Sequence, residues 1–173
     1  LKLSRGLGDV YKRQFYNLLF ISNNLKKFMK KIIWFRYDLR IYDNQAFINA
    51  CKSGVVVPIF IFDEKFWKLS TSSSFHLKFL EDSLKNLEHD LAHYQIFLHK
   101  FYGDTEEILK ALIDKYKINE VYSTRTIKND FLRKLDRNCN ELFQCKNIVW
   151  RQHDQFGIQA VSYTHLTLPT TML

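Results

Sequence analysis

Glycine is scarce in this chain, five in 173 residues, and only Gly54, Gly103 and Gly157 fall in the segment that reads as native protein. No Gly-x-Gly-x-x-Gly follows the first apolar run, and no glycine-rich loop ends in Lys-Ser/Thr, which argues against a phosphate cradle built from backbone amides. No serine sits between the glycines of a nucleophile elbow. The three cysteines, Cys51, Cys139 and Cys145, form neither a paired disulfide framework nor a metal-ligand spacing, as expected in a reducing cytoplasm. No apolar run approaches the roughly 18 residues of a membrane helix. The longest, Val55 to Phe62, contains Pro58. Leu18–Ile21 is too short, and lacks the small-residue cleavage site, for a signal peptide. Internal repeats and low-complexity tracts are absent as well.

Both ends of the chain have an unusual origin written into them. Asp9-Val10-Tyr11-Lys12-Arg13-Gln14 is what the DNA element GATGTGTATAAGAGACAG encodes. The reverse complement of that element, read from its third base, encodes Val161-Ser162-Tyr163-Thr164-His165-Leu166. The element resembles the transposon end used in sequencing-library preparation, so the flanks are expected to be artefactual and are excluded from fold reasoning. Residues 1–28 are therefore read as an artefactual or disordered flank, with Met29 the expected true start. Residues 29–152 are read as one α/β domain, and 153–173 as the start of an interdomain linker running into an artefactual tail.

The formal net charge of +8 shrinks under the same division. Residues 1–28 hold six Lys/Arg against one acid, and from Met29 onward 20 basic residues face 17 acidic ones with the signs interspersed. A nucleic-acid-binding domain ordinarily carries a basic face or stripe. A span of about 130 residues suits a single domain with a real core.

Five short runs dense in Ile, Val, Phe, Tyr and Trp read as strands: Lys31–Phe35, Val55–Phe62, Gln95–Phe101, Glu120–Ser123 and Asn147–Trp150. Near-continuous apolar runs are what strands buried on both faces require. Between them lie helical patterns. Leu77, Leu80, Leu84, Leu87 and Leu91 recur at spacings of three and four within Ser74–Tyr94, with Ser72, Ser73 and Ser74 as candidate caps. Asp43-Asn44 introduces a helix over Gln45–Lys52, and Gly54 stands where that helix gives way to a strand. Gly103-Asp104-Thr105-Glu106-Glu107 supplies a turn, a cap and first-turn acids, and a last helix is expected over Asn129–Phe143. Such alternation predicts a Rossmann-like three-layer α/β domain, a five-stranded parallel sheet with helices on both faces.

In open parallel sheets, ligands sit beyond the carboxyl ends of the strands. The loop after the first strand, Arg36-Tyr37-Asp38-Leu39-Arg40, places two arginines and an aspartate there. They form either a structural ion-pair network or a set that orients an anionic ligand or partner domain. His89 and His93 lie four apart on a helix, but no Glu follows His89 in a zinc-protease pattern, and no metal site is expected. The charge-rich Lys128–Arg137 stretch reads as a solvated helix face. Trp34, Trp67 and Trp150 read as core or strand-end aromatics.

Trp34-Phe35-Arg36-x-Asp38-Leu39-Arg40-x-x-Asp43-Asn44 resembles the opening motif of the DNA photolyase/cryptochrome family. Phe66-Trp67, the leucine pattern from Phe79 to Leu91, Gly103-Asp104, Val121-Tyr122 and Gln155-Phe156-Gly157-Ile158 follow in the family's order. The resemblance spans Lys30 to Gln159. It implies the N-terminal domain of a flavoprotein, binding an antenna chromophore of folate or deazaflavin type. That chromophore passes excitation energy to FAD in a separate helical C-terminal domain, which this chain lacks. In repair enzymes the reduced flavin donates an electron to a flipped pyrimidine dimer, so damaged DNA would be met through that missing domain only.

The parent protein would be a deoxyribodipyrimidine photolyase, a carbon–carbon lyase. This fragment alone would carry no catalytic residue, cross no membrane and remain a monomer. A cryptochrome-type blue-light photoreceptor and a stand-alone nucleotide-binding module are the alternative readings. Residue by residue, the resemblance assigns Arg36, Asp38 and Arg40 to the cofactor edge. It also assigns Asn129 and Asp130, whose carboxylate either accepts hydrogen bonds from a pterin ring or simply starts the last helix. Tyr37 departs from the family pattern, which has a second arginine there.

Overall fold

The computed structural model describes residues 31–52, 56–68, 74–126 and 130–154. The flanks, Met29, Gly54, Ser72, Ser73, Asn129 and the Gln155–Ile158 link lie outside the described residues. The element order is β1 (Lys31–Phe35), α1 (Gln45–Lys52), β2 (Val57–Phe62), α2 (Glu64–Trp67), α3 (Ser74–Ala92), β3 (His99–Tyr102), α4 (Thr105–Tyr116), β4 (Glu120–Thr124), α5 (Asp130–Cys145) and β5 (Val149–His153). All strand pairs are parallel and the sheet order is β3-β2-β1-β4-β5. The order of the chain reverses between β1 and β4.

Alternate residues of each central strand point to opposite faces, and that divides the core in two. Ile32 and Trp34 of β1 join Ile59, Ile61, Phe101 and Val121 in a layer covered by α4 and α5. Ile33 and Phe35 join Phe60 and Tyr122 in a layer covered by α1 and α3. This is why β1 is apolar at successive positions: both faces are dry, and Ile32 to Phe35 are all nearly fully buried. Leu84, Leu87 and Leu91 of the leucine stripe are buried, each contributing about 1.5–3 kcal/mol by its removal from water. Leu80 is half-buried and lies toward the carboxyl ends of the strands.

Three strands begin later than the apolar runs indicate: β2 starts at Val57, and the other two follow helix caps. The third run starts at Gln95, but the α3 terminus continues through a capping turn, with Ile96 N–H donating to the Leu91 carbonyl at 3.1 Å and Gln95 at φ 58°. The fifth run starts at Asn147, where the same closure recurs: Asn147 has φ 54° and Ile148 N–H donates to the Phe143 carbonyl at 2.8 Å. Apolar residues just past a helix end pack back against its last turn, so their hydrophobicity belongs to the cap and not to the strand. The single-turn α2 carries no periodic signal. It exists because Asp63 caps it, accepting from the Lys65 and Phe66 amides at 2.9 and 3.2 Å.

Candidate functional site

Around the carboxyl ends of β1 and β2, beside the point where strand order reverses, lies a cleft of about 540 Å³. Its floor is Trp34, Phe60 and Ile61, and its walls come from α2 (Phe66, Trp67), the first half of α3 (Phe79, Leu80) and α5 (Phe131, Leu132, Leu135). Arg36, Tyr37, Asp38, Leu39 and Arg40 of the loop after β1 complete the lining. Aromatic rings dominate. Trp67 stacks on Phe62 at 5.2 Å between centroids, and Phe66 meets Trp67 edge-on at 5.5 Å, Phe131 at 5.8 Å and Tyr37 at 6.0 Å. Trp34, which is core, stacks on Trp150 of β5 at 6.2 Å.

The loop after β1 is tied inward. The Arg36 guanidinium lies 2.7 Å from Asp136 of α5, both side chains almost wholly buried, and sits 4.4 Å above the Trp34 ring. Asp38 accepts from Asn44 Nδ2 at 2.9 Å and from the Thr124 hydroxyl at the end of β4. Burial raises the Asp38 carboxyl above 3.8, with the Thr124 and Asn44 bonds pulling the other way. Asn44 also caps α1, accepting from the Phe47 amide at 2.9 Å, and donates to the Arg40 carbonyl at 3.0 Å. The Arg40 side chain is half-exposed and faces Asp43 at 3.8 Å. The loop thus carries one buried ion pair, one exposed pair and a hydrogen-bonded carboxylate, on a wall of the cleft.

Asp130 is placed elsewhere. It is the first residue of α5, fully exposed, 3.3 Å from Arg133 one turn on, and is not among the residues lining the cleft. An acid in a first helical turn complements the macrodipole, the helix-start role open to it from the sequence. The Lys128–Arg137 stretch needs correcting as a purely solvated face: Arg133, Lys134 and Arg137 are exposed, but Leu132, Leu135 and Asp136 are buried. The alternation at helical period was present, and the density of charge obscured it.

The cleft's second carboxylate, Asp63, was not anticipated. It closes β2, is buried, caps α2 with one oxygen, and with the other accepts from the Thr105 amide at 3.2 Å and hydroxyl at 2.6 Å. Tyr37 lines the mouth, half exposed. Burial of its phenol pushes the pKa up to about 12, Arg36 pulling it down and Asp136 and Asp63 adding to the rise. Cys139, held one turn past Asp136, is fully buried, and burial pushes its thiol up to about 12, far from thiolate chemistry. The exposed His89 and His93 rings lie 4.7 Å apart, and no group of three or more metal-ligating side chains occurs among the described residues.

The sequence profile of the DNA photolyase family matches residues 31–161. The chain belongs to the DNA photolyase family. It is 31% identical over 101 residues to the deoxyribodipyrimidine photo-lyase of Buchnera aphidicola, covering 54% of this chain and 20% of that protein. It is also 27% identical over 99 residues to the chloroplastic/mitochondrial cryptochrome DASH of Solanum lycopersicum, covering 53% and 17%. This photolyase-family chain thus spans about a fifth of the length of the curated relatives it matches. Among solved structures, a class III photolyase from Agrobacterium tumefaciens superimposes with a TM-score of 0.63 at 26% identity, over 73% of this chain and 26% of the other. An archaeal photolyase from Sulfolobus tokodaii, solved with two FAD molecules and discussed for a novel light-harvesting cofactor, gives 0.64 at 24% identity, over 72% and 29%, a likeness of fold. No helix among the described residues is long and apolar enough to cross a membrane.

Proposed function

We propose that this photolyase-family domain binds the antenna chromophore of a deoxyribodipyrimidine photolyase. The observation that carries the reading is the aromatic cleft at the carboxyl ends of β1 and β2. Its volume and ring-lined walls suit a planar heteroaromatic, and Phe66, Trp67 and Phe79 would hold such a ring by stacking and edge contacts. Arg36, Asp38 and Arg40 serve this reading by fixing the wall on which the ring rests. A bound chromophore supplies light absorption and energy transfer. The polypeptide supplies position and a dry environment.

Between the two chromophore types, the cleft favours a deazaflavin- or flavin-like tricycle over a folate held by Asp130. Asp130 stands outside the cleft, and the Sulfolobus photolyase described with two FAD molecules has the same fold. In this proposal Asp130 takes no part in holding the ring. FAD and the DNA lesion belong to a helical domain outside this chain, and residues 29–152 form the domain that would join it.

The test is retention of ligand by the purified 173-residue chain. Riboflavin is expected to co-elute with quenched fluorescence and folate to pass through. A Phe79→Ala change, at an exposed wall position, lowers riboflavin affinity several-fold without changing the melting temperature. Failure to retain either compound overturns the antenna reading. Repair as opposed to signalling is tested on the full-length protein by light-dependent loss of cyclobutane pyrimidine dimers. Their persistence under light returns the protein to the photoreceptor class, which the name of one matched relative from Arabidopsis thaliana states.

A further inference from the structure

The charges around the cleft narrow what it can accept. Among the described residues the buried charges of the cleft face partners within the protein, while the Arg36 Nη atoms keep unused hydrogen-bonding capacity. Arg36 faces Asp136 at 2.7 Å, and Asp63 receives four donors from Lys65, Phe66 and Thr105. Asp38 receives Asn44 and Thr124. At the rim, Arg40 is turned to Asp43, and His76 stands exposed. A phosphate or carboxylate carried into the floor would lose its hydration without meeting, among the described residues, a cation whose charge is not already paired, an exchange that disfavours burial of the ion. The exposed lining offers rings: Tyr37, half exposed, on one side of the mouth and Phe79, three-quarters exposed, on the α3 wall.

Resting on the antenna reading, we propose that the cleft selects an uncharged fused-ring heteroaromatic, and that Tyr37 is the specificity-determining residue at its mouth. The phenol ring covers the edge of the bound ring system and, carrying no charge, gives no purchase to an anionic tail. A ligand with such a tail gains nothing from it here, because the tail must stay in solvent. An arginine at position 37 would reverse this by placing a solvated but unpaired cation at the point where a tail emerges. One such exposed charge contact is worth roughly 0.7–1 kcal/mol, or about three- to fivefold in affinity.

The experiment compares riboflavin with its 5′-phosphate, FMN, which share one ring system and differ by a dianionic group. Fluorescence titrations use the 173-residue chain and its Tyr37→Arg, Tyr37→Phe and Tyr37→Ala variants at low salt, with thermal melts as the folding control. The wild-type chain is expected to bind riboflavin at least as tightly as FMN. Tyr37→Arg shifts the affinity ratio toward FMN by about threefold or more, and added salt erases the shift. Tyr37→Phe keeps both affinities, and Tyr37→Ala weakens both. Preference for FMN by the wild-type chain, or a ratio that Tyr37→Arg leaves nearer to its starting value than threefold, overturns the selectivity while leaving the antenna reading in place. If neither flavin binds the wild-type chain, the antenna reading and this inference fall together.

Discussion

Helix α5 carries two ion pairs of the same chemical type in opposite surroundings. Asp130 and Arg133, in its first turn, are exposed, at 99% and 63% of their side-chain surface. Asp136, two turns along from Asp130, meets Arg36 of the loop after β1 with 5% and 4% exposed. The first pair lies within one helix and is screened by water. The second spans the sheet edge, holds the loop after β1 against α5, and forms part of a cleft wall. Identical functional groups thus do different jobs because their dielectric surroundings differ. Only the buried pair fixes the wall of the cleft in which binding is proposed.

Breaking the buried pair from one side gives the largest effect. Asp136→Ala leaves the Arg36 charge buried without its carboxylate and is expected to lower unfolding free energy by about 3–5 kcal/mol in urea denaturation. The double change Arg36→Met with Asp136→Leu recovers most of that loss, because it removes both charges and refills the volume. Equal destabilisation by single and double variants would refute the role of charge. Next, Asp63→Ala removes the acceptor of donors in α2 and α4 at once and is expected to cost about 2–4 kcal/mol, with riboflavin affinity falling as the Phe66–Trp67 wall loosens.

Smaller is the effect of Asp38→Asn. The folded pKa of Asp38 lies above 3.8, so its contribution is fully present below pH 3.8 and is lost as pH rises through the folded value. An asparagine oxygen accepts the same two donors and does not titrate. Relative to the variant, the wild-type chain is expected to lose stability between pH 3.8 and neutrality, as read from melting temperatures across that range. The smallest effect closes the comparison. Asp130→Ala, at the exposed pair, is expected to change stability by less than about 0.5 kcal/mol and riboflavin binding not at all. A loss of chromophore in that variant would place Asp130 back in the site.

The sequence showed the layers of this fold more readily than its site. Runs such as Lys31–Phe35 declare a strand because burial on both faces demands apolar residues at every position, a local rule. The α3 stripe is equally local, since Leu84, Leu87 and Leu91 follow the helical period. The site is made by pairings with no local trace: Arg36 with Asp136, Asp38 with Thr124, Asp63 with Thr105. Arg36, Asp38 and Arg40 could be placed at a strand's carboxyl end, but Arg36 and Asp38 could not be matched to partners many tens of residues away. The cleft lining was harder still. Phe66, Phe79 and Leu132 are ordinary apolar residues individually, and only topology makes them neighbours. Short capping turns at Gln95 and Asn147 defeated boundary placement: a glutamine gives no sign of left-handed backbone, and the asparagine, which favours it, stood at the head of an apolar run.

Asp63 has one more consequence, and it concerns time. The amides of Lys65, Phe66 and Thr105 all donate to its one carboxylate. Lys65 and Thr105 belong to different helices, on either side of α3 and β3, yet a single rotation of the Asp63 side chain would uncover both. Their exchange with solvent deuterium is therefore expected to rise and fall together, reporting one shared opening event and not the fraying of two separate helix ends.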